Sequence, residues 1–181
     1  MAEIKGPGGA PVFGVVGWKK SGKTTLTKRL VEVFAGRGLR VATVKHAHHD
    51  FQIDNAETDS AKHRAAGAQQ VAIVSSERWA MVRELKGAPE PDFADVLLRL
   101  DPCDLVIVEG YKSQPIPKIE ARRSQSFTHD PLAPRDPNIV AIASDAPDAH
   151  RGSLPVFHLD DVAALADLMS QRLAIKARGL E

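Results

Sequence analysis

One cysteine, Cys103, stands in the 181 residues of this chain. That count excludes an intrachain disulfide framework and a cysteine-rich zinc site, and it suits a reducing cytoplasm, where we expect the protein to work. Charge of one sign is also missing. Lys and Arg number 24 against 23 Asp and Glu, a formal net charge of +1. Such balance gives no support to a nucleic-acid or membrane-surface role. No apolar run approaches the roughly 18 residues that a membrane span needs. Residues 1–10, rich in Gly and Lys, lack the apolar stretch of a secretory signal, so a flexible arm is expected there.

What is present is a phosphate-cradling pattern. Gly17, Gly22, Lys23 and Thr24 fill every fixed position of G-x-x-x-x-G-K-[ST]. The glycines let the backbone fold tightly round an oxyanion with its N–H groups inward. Lysine reaches the β- and γ-phosphates, and the next hydroxyl coordinates Mg²⁺. Residues 11–16 in front read as a short buried strand, and residues from Thr24 onward read as a helix. Strand, glycine loop and helix together are the context the motif requires.

Hydrophobic periodicity then alternates between strand and helix. Leu26, Leu30, Val33 and Phe34 fall at helical spacing, and residues 36–38 end that helix. A strand over 39–45 completes a βαβ unit, and residues 46–58 read as a polar loop. Asp59 is expected to cap a short helix that Gly67 terminates. Residues 71–74 and 79–85 read as an antiparallel pair. Residues 91–100 open with Pro and acids, as a helix does. The continuously apolar run 105–108 reads as a strand buried on both faces. Residues 118–122 read as a short edge strand, 139–143 and 155–159 as further strands. A last helix, opened by Asp160, carries Val162, Leu165, Met169 and Leu173 on one face. The expected fold is an α/β three-layer sandwich of the P-loop NTPase type, a mostly parallel sheet with added antiparallel strands. Its single nucleotide-binding domain is expected over residues 11–176, between the arm and a C-terminal tail over 177–181.

A nucleotide site of this kind needs a carboxylate near Mg²⁺ at the end of a buried strand. Asp104 and Glu109 bracket the apolar run, roughly 16 Å apart at 3.3 Å per strand residue. Only Glu109, at the carboxyl end, can face the loop, so Glu109 is the metal and catalytic candidate beside Lys23 and Thr24. Thr25 either hydrogen-bonds the α-phosphate or caps the helix. Ser21 lies within the loop, and Lys19 and Lys20 either add a cation to the phosphates or stay solvated. His46, His48, His49 and Asp50 follow the second strand. His49, Asp50 or Asp54 is a candidate for a switch loop approaching the γ-phosphate; the histidine cluster could alternatively hold Zn²⁺ or Ni²⁺. The [NT]-K-x-D guanine reader is absent. Asp145, at the end of an apolar strand, either accepts from guanine N1 and N2 or is a turn acid. No arginine finger and no water-orienting glutamine is evident, so hydrolysis is expected to be slow.

The loop of residues 17–25, Lys45, His46, His48, His49, Asp59, Ser60, residues 66–68, Arg78, Trp79, residues 104–112 and residues 117–120 together resemble the molybdopterin-guanine dinucleotide biosynthesis protein B (MobB) family. The resemblance runs from about Val12 to Asp145. It implies a cytoplasmic, homodimeric protein that binds GTP with Mg²⁺ and hydrolyses it slowly. It also implies an adapter role beside the MobA-type enzyme that attaches GMP to molybdopterin. Carried over residue by residue, it supports phosphate binding by Gly22, Lys23, Thr24 and Thr25 and a site role for Glu109, and it raises His49 and Asp59 as loop residues near the nucleotide. Where the family usually has a lysine before the short helix, this chain has Thr58, one cation fewer. Two other classes fit the residues: a small-molecule kinase with Arg122, Arg123 and Arg135 as lid arginines, and a metallochaperone GTPase using the cluster from His46 to His49. The dimer is expected to use the strands over 71–85 and 118–122, whose edges would otherwise stay open.

Overall fold

A computed structural model of the chain describes residues 3–47, 51, 53, 57–126, 130–147 and 152–175. Its elements, in chain order, are β1 (Val12–Val16), α1 (Lys23–Gly36), β2 (Val41–Lys45), α2 (Asp59–Ala65), β3 (Gln70–Val74), β4 (Trp79–Arg83), α3 (Phe93–Leu97), β5 (Leu105–Glu109), β6 (Lys118–Arg122), β7 (Ile139–Ser144), β8 (Val156–His158) and α4 (Val162–Leu173). The chain packs as two compact units, within residues 1–46 and 93–181 and within residues 47–92. The sequence suggested one body over residues 11–176. No helix of the described residues is long and apolar enough to cross a membrane.

In the first unit six strands run in the order β2–β5–β1–β6–β7–β8, every neighbouring pair parallel. Alternate residues of each strand point to opposite faces, and the core follows that rule. Phe13, Val15, Leu105, Ile107 and Ile119 pack against Leu26, Leu30 and Phe34 of α1 and Leu165 and Met169 of α4. Val12, Val106 and Val108 turn the other way and meet Phe93 and Leu97 of α3. Both faces are covered, so the three-layer sandwich expected from the sequence is the fold observed. The order reverses at β1, with β5 on one side and β6 on the other. Ligands of such sheets bind beyond the carboxyl ends at this point.

Four expectations are corrected here. β6 is an interior strand between β1 and β7, buried along its whole length. Its charged composition suggested an edge, but Lys118 and Glu120 meet their partners inside. Lys118 Nζ donates to the carbonyls of Lys112 and Gln114, both 2.7 Å away, and pairs with Asp136. Glu120 accepts the N–H groups of Leu132 and Ala133 at 2.9 and 2.8 Å. With both edges of β6 paired, it offers no open edge for a dimer. Residues 3–10, expected as a free arm, dock instead: Ala10 is buried and Ile4 packs on the α3 side of the sheet. α4 is capped by Asp161, whose carboxylate accepts from Ala164 N–H, because Asp160 is drawn to Arg29 of α1. In the other unit α2 is capped by the Thr58 hydroxyl, not by Asp59, which is the first helical residue. The expected tail over 177–181 lies outside the described residues.

That second unit holds α2 and the antiparallel pair β3–β4, in the register Val71↔Val82 through Val74↔Trp79. Val71 and Ala61 are buried, and Arg64 pairs with Glu84 at 3.0 Å. The opposite face of the ribbon carries Val74, Trp79 and Met81, all exposed.

Candidate functional site

β1 ends at Val16, and the chain turns through residues 17–22 into α1. Gly17 (φ 148°) and Gly22 (φ 93°) adopt backbone angles that side-chain-bearing residues rarely take. At Gly17 the space is closed as well: a methyl group there would meet the Ala121 carbonyl and lie 2.5 Å from Ser21 Oγ. Gly22 is the N-cap of α1, the first intrahelical bond being Leu26 N–H to its carbonyl at 2.9 Å. The preceding N–H groups of Lys23, Thr24 and Thr25 therefore have no intrahelical acceptor. No acidic residue stands in the first turn, so the positive end of the helix dipole is left for an external anion.

Lys23 folds back over the loop, its Nζ donating to the Trp18 carbonyl at 2.7 Å. Burial pushes the Lys23 ammonium below its ordinary pKa, a shift that Glu109 opposes and that Lys112 and Lys45 reinforce. Across 85 residues of sequence, Thr24 Oγ1 donates to Glu109 Oε1 at 2.8 Å, and Lys45 Nζ lies 3.4 Å from the same oxygen. Glu109 reaches this position because β5 pairs with β1 in the register Val15↔Glu109, which carries the strand end to the loop. Asp104, at the other end of β5, instead holds the entry to β2 in place: it accepts from Arg40 N at 2.8 Å and from Arg40 Nε and Nη2 at 3.1 and 3.0 Å.

The residues fit a polyphosphate with a hard divalent cation. Ser21 Oγ is buried and has no hydrogen-bond partner among the described residues, leaving a donor inside the loop. Hydroxyl and carboxylate oxygens, Thr24 Oγ1 and Glu109 Oε1, are the donor set Mg²⁺ prefers. Lys20 (φ 65°) lies exposed on the loop's outer side, and Thr25 is exposed in the first turn of α1.

Asp145 follows β7 as expected, but its oxygens are engaged by Ser124, Oδ1 with the backbone N–H at 2.8 Å and Oδ2 with the hydroxyl at 3.2 Å. Asp59 forms a 3.3 Å pair with Lys62 on α2 and is largely exposed. His48, His49, Asp50 and Asp54 lie outside the described residues, and no group of three metal-ligating side chains occurs among the described residues.

Two further cations stand at the loop. Lys112 Nζ sits 3.9 Å from the centroid of the Trp18 ring, and Arg123 lies against Gly22. Tyr111, just before Lys112, is held at φ 48° with its ring between those of His46 and Phe93 at 4.6 and 4.7 Å. The arginine doublet at 122–123 was visible as a pair of lid candidates. Its division into one inward and one loop-facing side chain was not.

A family model described as molybdopterin guanine dinucleotide synthesis protein B matches residues 12–145. The molybdopterin-guanine dinucleotide biosynthesis adapter protein of Escherichia coli K12 is 34% identical over 161 residues, 88% of this chain and 91% of that protein. Its namesake from Haemophilus influenzae is 39% identical over 140 residues, 76% of each chain. Among solved structures, Bacillus subtilis MobB is similar with a TM-score of 0.69 at 25% identity, over 90% of this chain and 98% of that one. A MobB homolog from Bacillus stearothermophilus gives 0.66 at 29% identity, over 91% and 99%. Sequence and fold agree over most of the chain, which belongs to the molybdopterin guanine dinucleotide synthesis protein B family.

Proposed function

We propose that this protein is a Mg²⁺–GTP-binding adapter in the assembly of the guanine dinucleotide form of the molybdenum cofactor, with slow GTP hydrolysis. The observation that carries the reading is the Thr24–Glu109 hydrogen bond of 2.8 Å at the mouth of the loop. It sets a hydroxyl and a carboxylate together beside Lys23 and the free N–H groups of α1. Lys23 and those N–H groups take the phosphates. Thr24 and Glu109 hold Mg²⁺, which supplies charge neutralisation to the polyphosphate. The guanine preference and the partnership with a MobA-type guanylyltransferase are supported by the kinship with proteins named as molybdopterin-guanine dinucleotide biosynthesis adapters. The cytoplasm is the place of work. The exposed face of the β3–β4 ribbon, with Val74, Trp79 and Met81, supports a homodimer formed through that ribbon.

Calorimetry with GTP and ATP, with and without Mg²⁺, tests the reading. Binding should be tighter for GTP, strengthened by Mg²⁺, and at least ~100-fold weaker in Lys23→Ala, a loss of about 2.7 kcal/mol or more, with the fold intact by circular dichroism. Equal affinity for the two nucleotides removes the guanine assignment. Unchanged affinity in Lys23→Ala overturns the site itself.

A further inference from the structure

Arg123 follows β6 and comes to rest on the phosphate loop. A methyl group built at Gly22 would lie 2.9 Å from Arg123 Nε and 3.6 Å from its Cζ, so the guanidinium covers the N-cap of α1. This is an unfavourable place for a cation alone. The helix N-terminus is its positive end, no acid stands in the first turn, and Lys23 is the next residue. Glu109 is bonded to the Thr24 hydroxyl and not to the helix N–H groups, so one anion between the guanidinium and those N–H groups would serve both. The Arg123 guanidinium has no hydrogen bond or ion pair among the described residues, whereas neighbouring Arg122 points inward toward Glu120.

The backbone that carries Arg123 is fixed on both sides. Ser126 Oγ donates to the Arg123 carbonyl at 2.8 Å and receives its N–H at 3.3 Å. Asp145 takes the N–H and hydroxyl of Ser124, tying the turn to the end of β7. Such anchoring is more than a solvated arginine requires. Arginine's planar fork is suited to phosphate oxygens.

We infer that Arg123 is a phosphate-binding residue of this site, contacting oxygens of the polyphosphate held by residues 17–25, and that Asp145 is a positioning residue that holds Arg123 over the loop. The inference rests on the nucleotide reading above and deepens it.

The test measures Mg²⁺–GTP, Mg²⁺–ATP and inorganic tripolyphosphate by calorimetry on the full chain. Tripolyphosphate has no base, so it reports phosphate contacts alone. Arg123→Ala should weaken GTP and tripolyphosphate alike, by roughly 10- to 100-fold, and Arg123→Lys should recover part of the loss. Asp145→Ala should lower tripolyphosphate affinity, leave the GTP-to-ATP ratio unchanged, and add nothing in the Arg123→Ala background. Arg123→Lys also serves as the reading if Arg123→Ala does not fold.

Unchanged affinities in Arg123→Ala beside a loss in Lys23→Ala would overturn this inference and leave the nucleotide site standing. Weakened GTP with unchanged tripolyphosphate would make Arg123 a base contact and overturn the phosphate assignment. A narrowed GTP-to-ATP ratio in Asp145→Ala would return that residue to guanine recognition. Failure of the wild-type protein to bind either polyphosphate would overturn the function proposed above, and Arg123 with it.

Discussion

The two strands beside β1 serve the phosphate loop in opposite ways. β5 delivers an acid: Glu109 arrives at Thr24 through strand register alone, at the end of a run buried on both faces. β6 delivers a cation, Arg123, one residue beyond its end, in a turn that regular pairing does not hold. Its support is a set of buried polar contacts. Lys118 crosses β1 at Gly14, where a methyl group would lie 2.5 Å from Lys118 Cγ, and reaches the carbonyls of the 112–114 turn and Asp136. Glu120 pins residues 132 and 133. An apolar strand positions a residue by hydrogen-bond ladder, which any well-packed sequence maintains. β6 has such a ladder on both sides, but it also buries ions, and removing one partner leaves an uncompensated charge.

The largest expected effect therefore falls on the β6 side. Lys118→Ala leaves two carbonyls and Asp136 without their ammonium, and should cost about 3 kcal/mol or more of folding stability, read from urea denaturation; a cost below ~1 kcal/mol would show that the β6 side does not depend on that ion. On the β5 side, Glu109→Gln should leave folding nearly intact while cutting the gain in GTP affinity from Mg²⁺ by about tenfold or more, measured with and without the metal. An unchanged Mg²⁺ effect would remove Glu109 from the metal site. The smallest effect is one of pH. Burial tends to raise the Asp136 carboxyl, but the Lys118 ammonium and Asn138 outweigh it and hold the group below its ordinary range. A carboxylate depressed in the folded state contributes stability that is present above its unfolded pKa of about 3.9 and lost as pH falls through the folded value. Thermal stability should thus decline below about pH 4, and Asp136→Asn should flatten that decline. An identical acid profile in Asp136→Asn would assign it to other carboxylates.

Much of this was legible in the chain. Gly17, Gly22, Lys23 and Thr24 announce the loop because an oxyanion cradle demands those residue types at that spacing. The apolar run before Glu109 announces a buried strand, and with it which acid faces the loop. β6 misled because its Lys, Glu and Arg resemble solvated edge residues, and nothing local shows that their partners lie up to 18 residues further along the chain, at Asp136. The caps shifted by one residue, from Asp59 to Thr58 and from Asp160 to Asp161, since neighbouring polar side chains compete for the same N–H and local sequence does not choose between them. Asp145 was legible as the acid after β7, but its bonds to Ser124 were not.

By itself, the sequence determined the alternation of strands and helices, the phosphate loop and the carboxylate at the end of β5, because periodicity and motif spacing are properties of neighbours along the chain. Tertiary structure alone decided that β6 lies inside the sheet, that Lys118 and Glu120 meet partners in the turns at 112–114 and 132–136, and that Arg123 covers the N-cap of α1. Those placements depend on which strands sit side by side, and strand order is fixed by long-range packing.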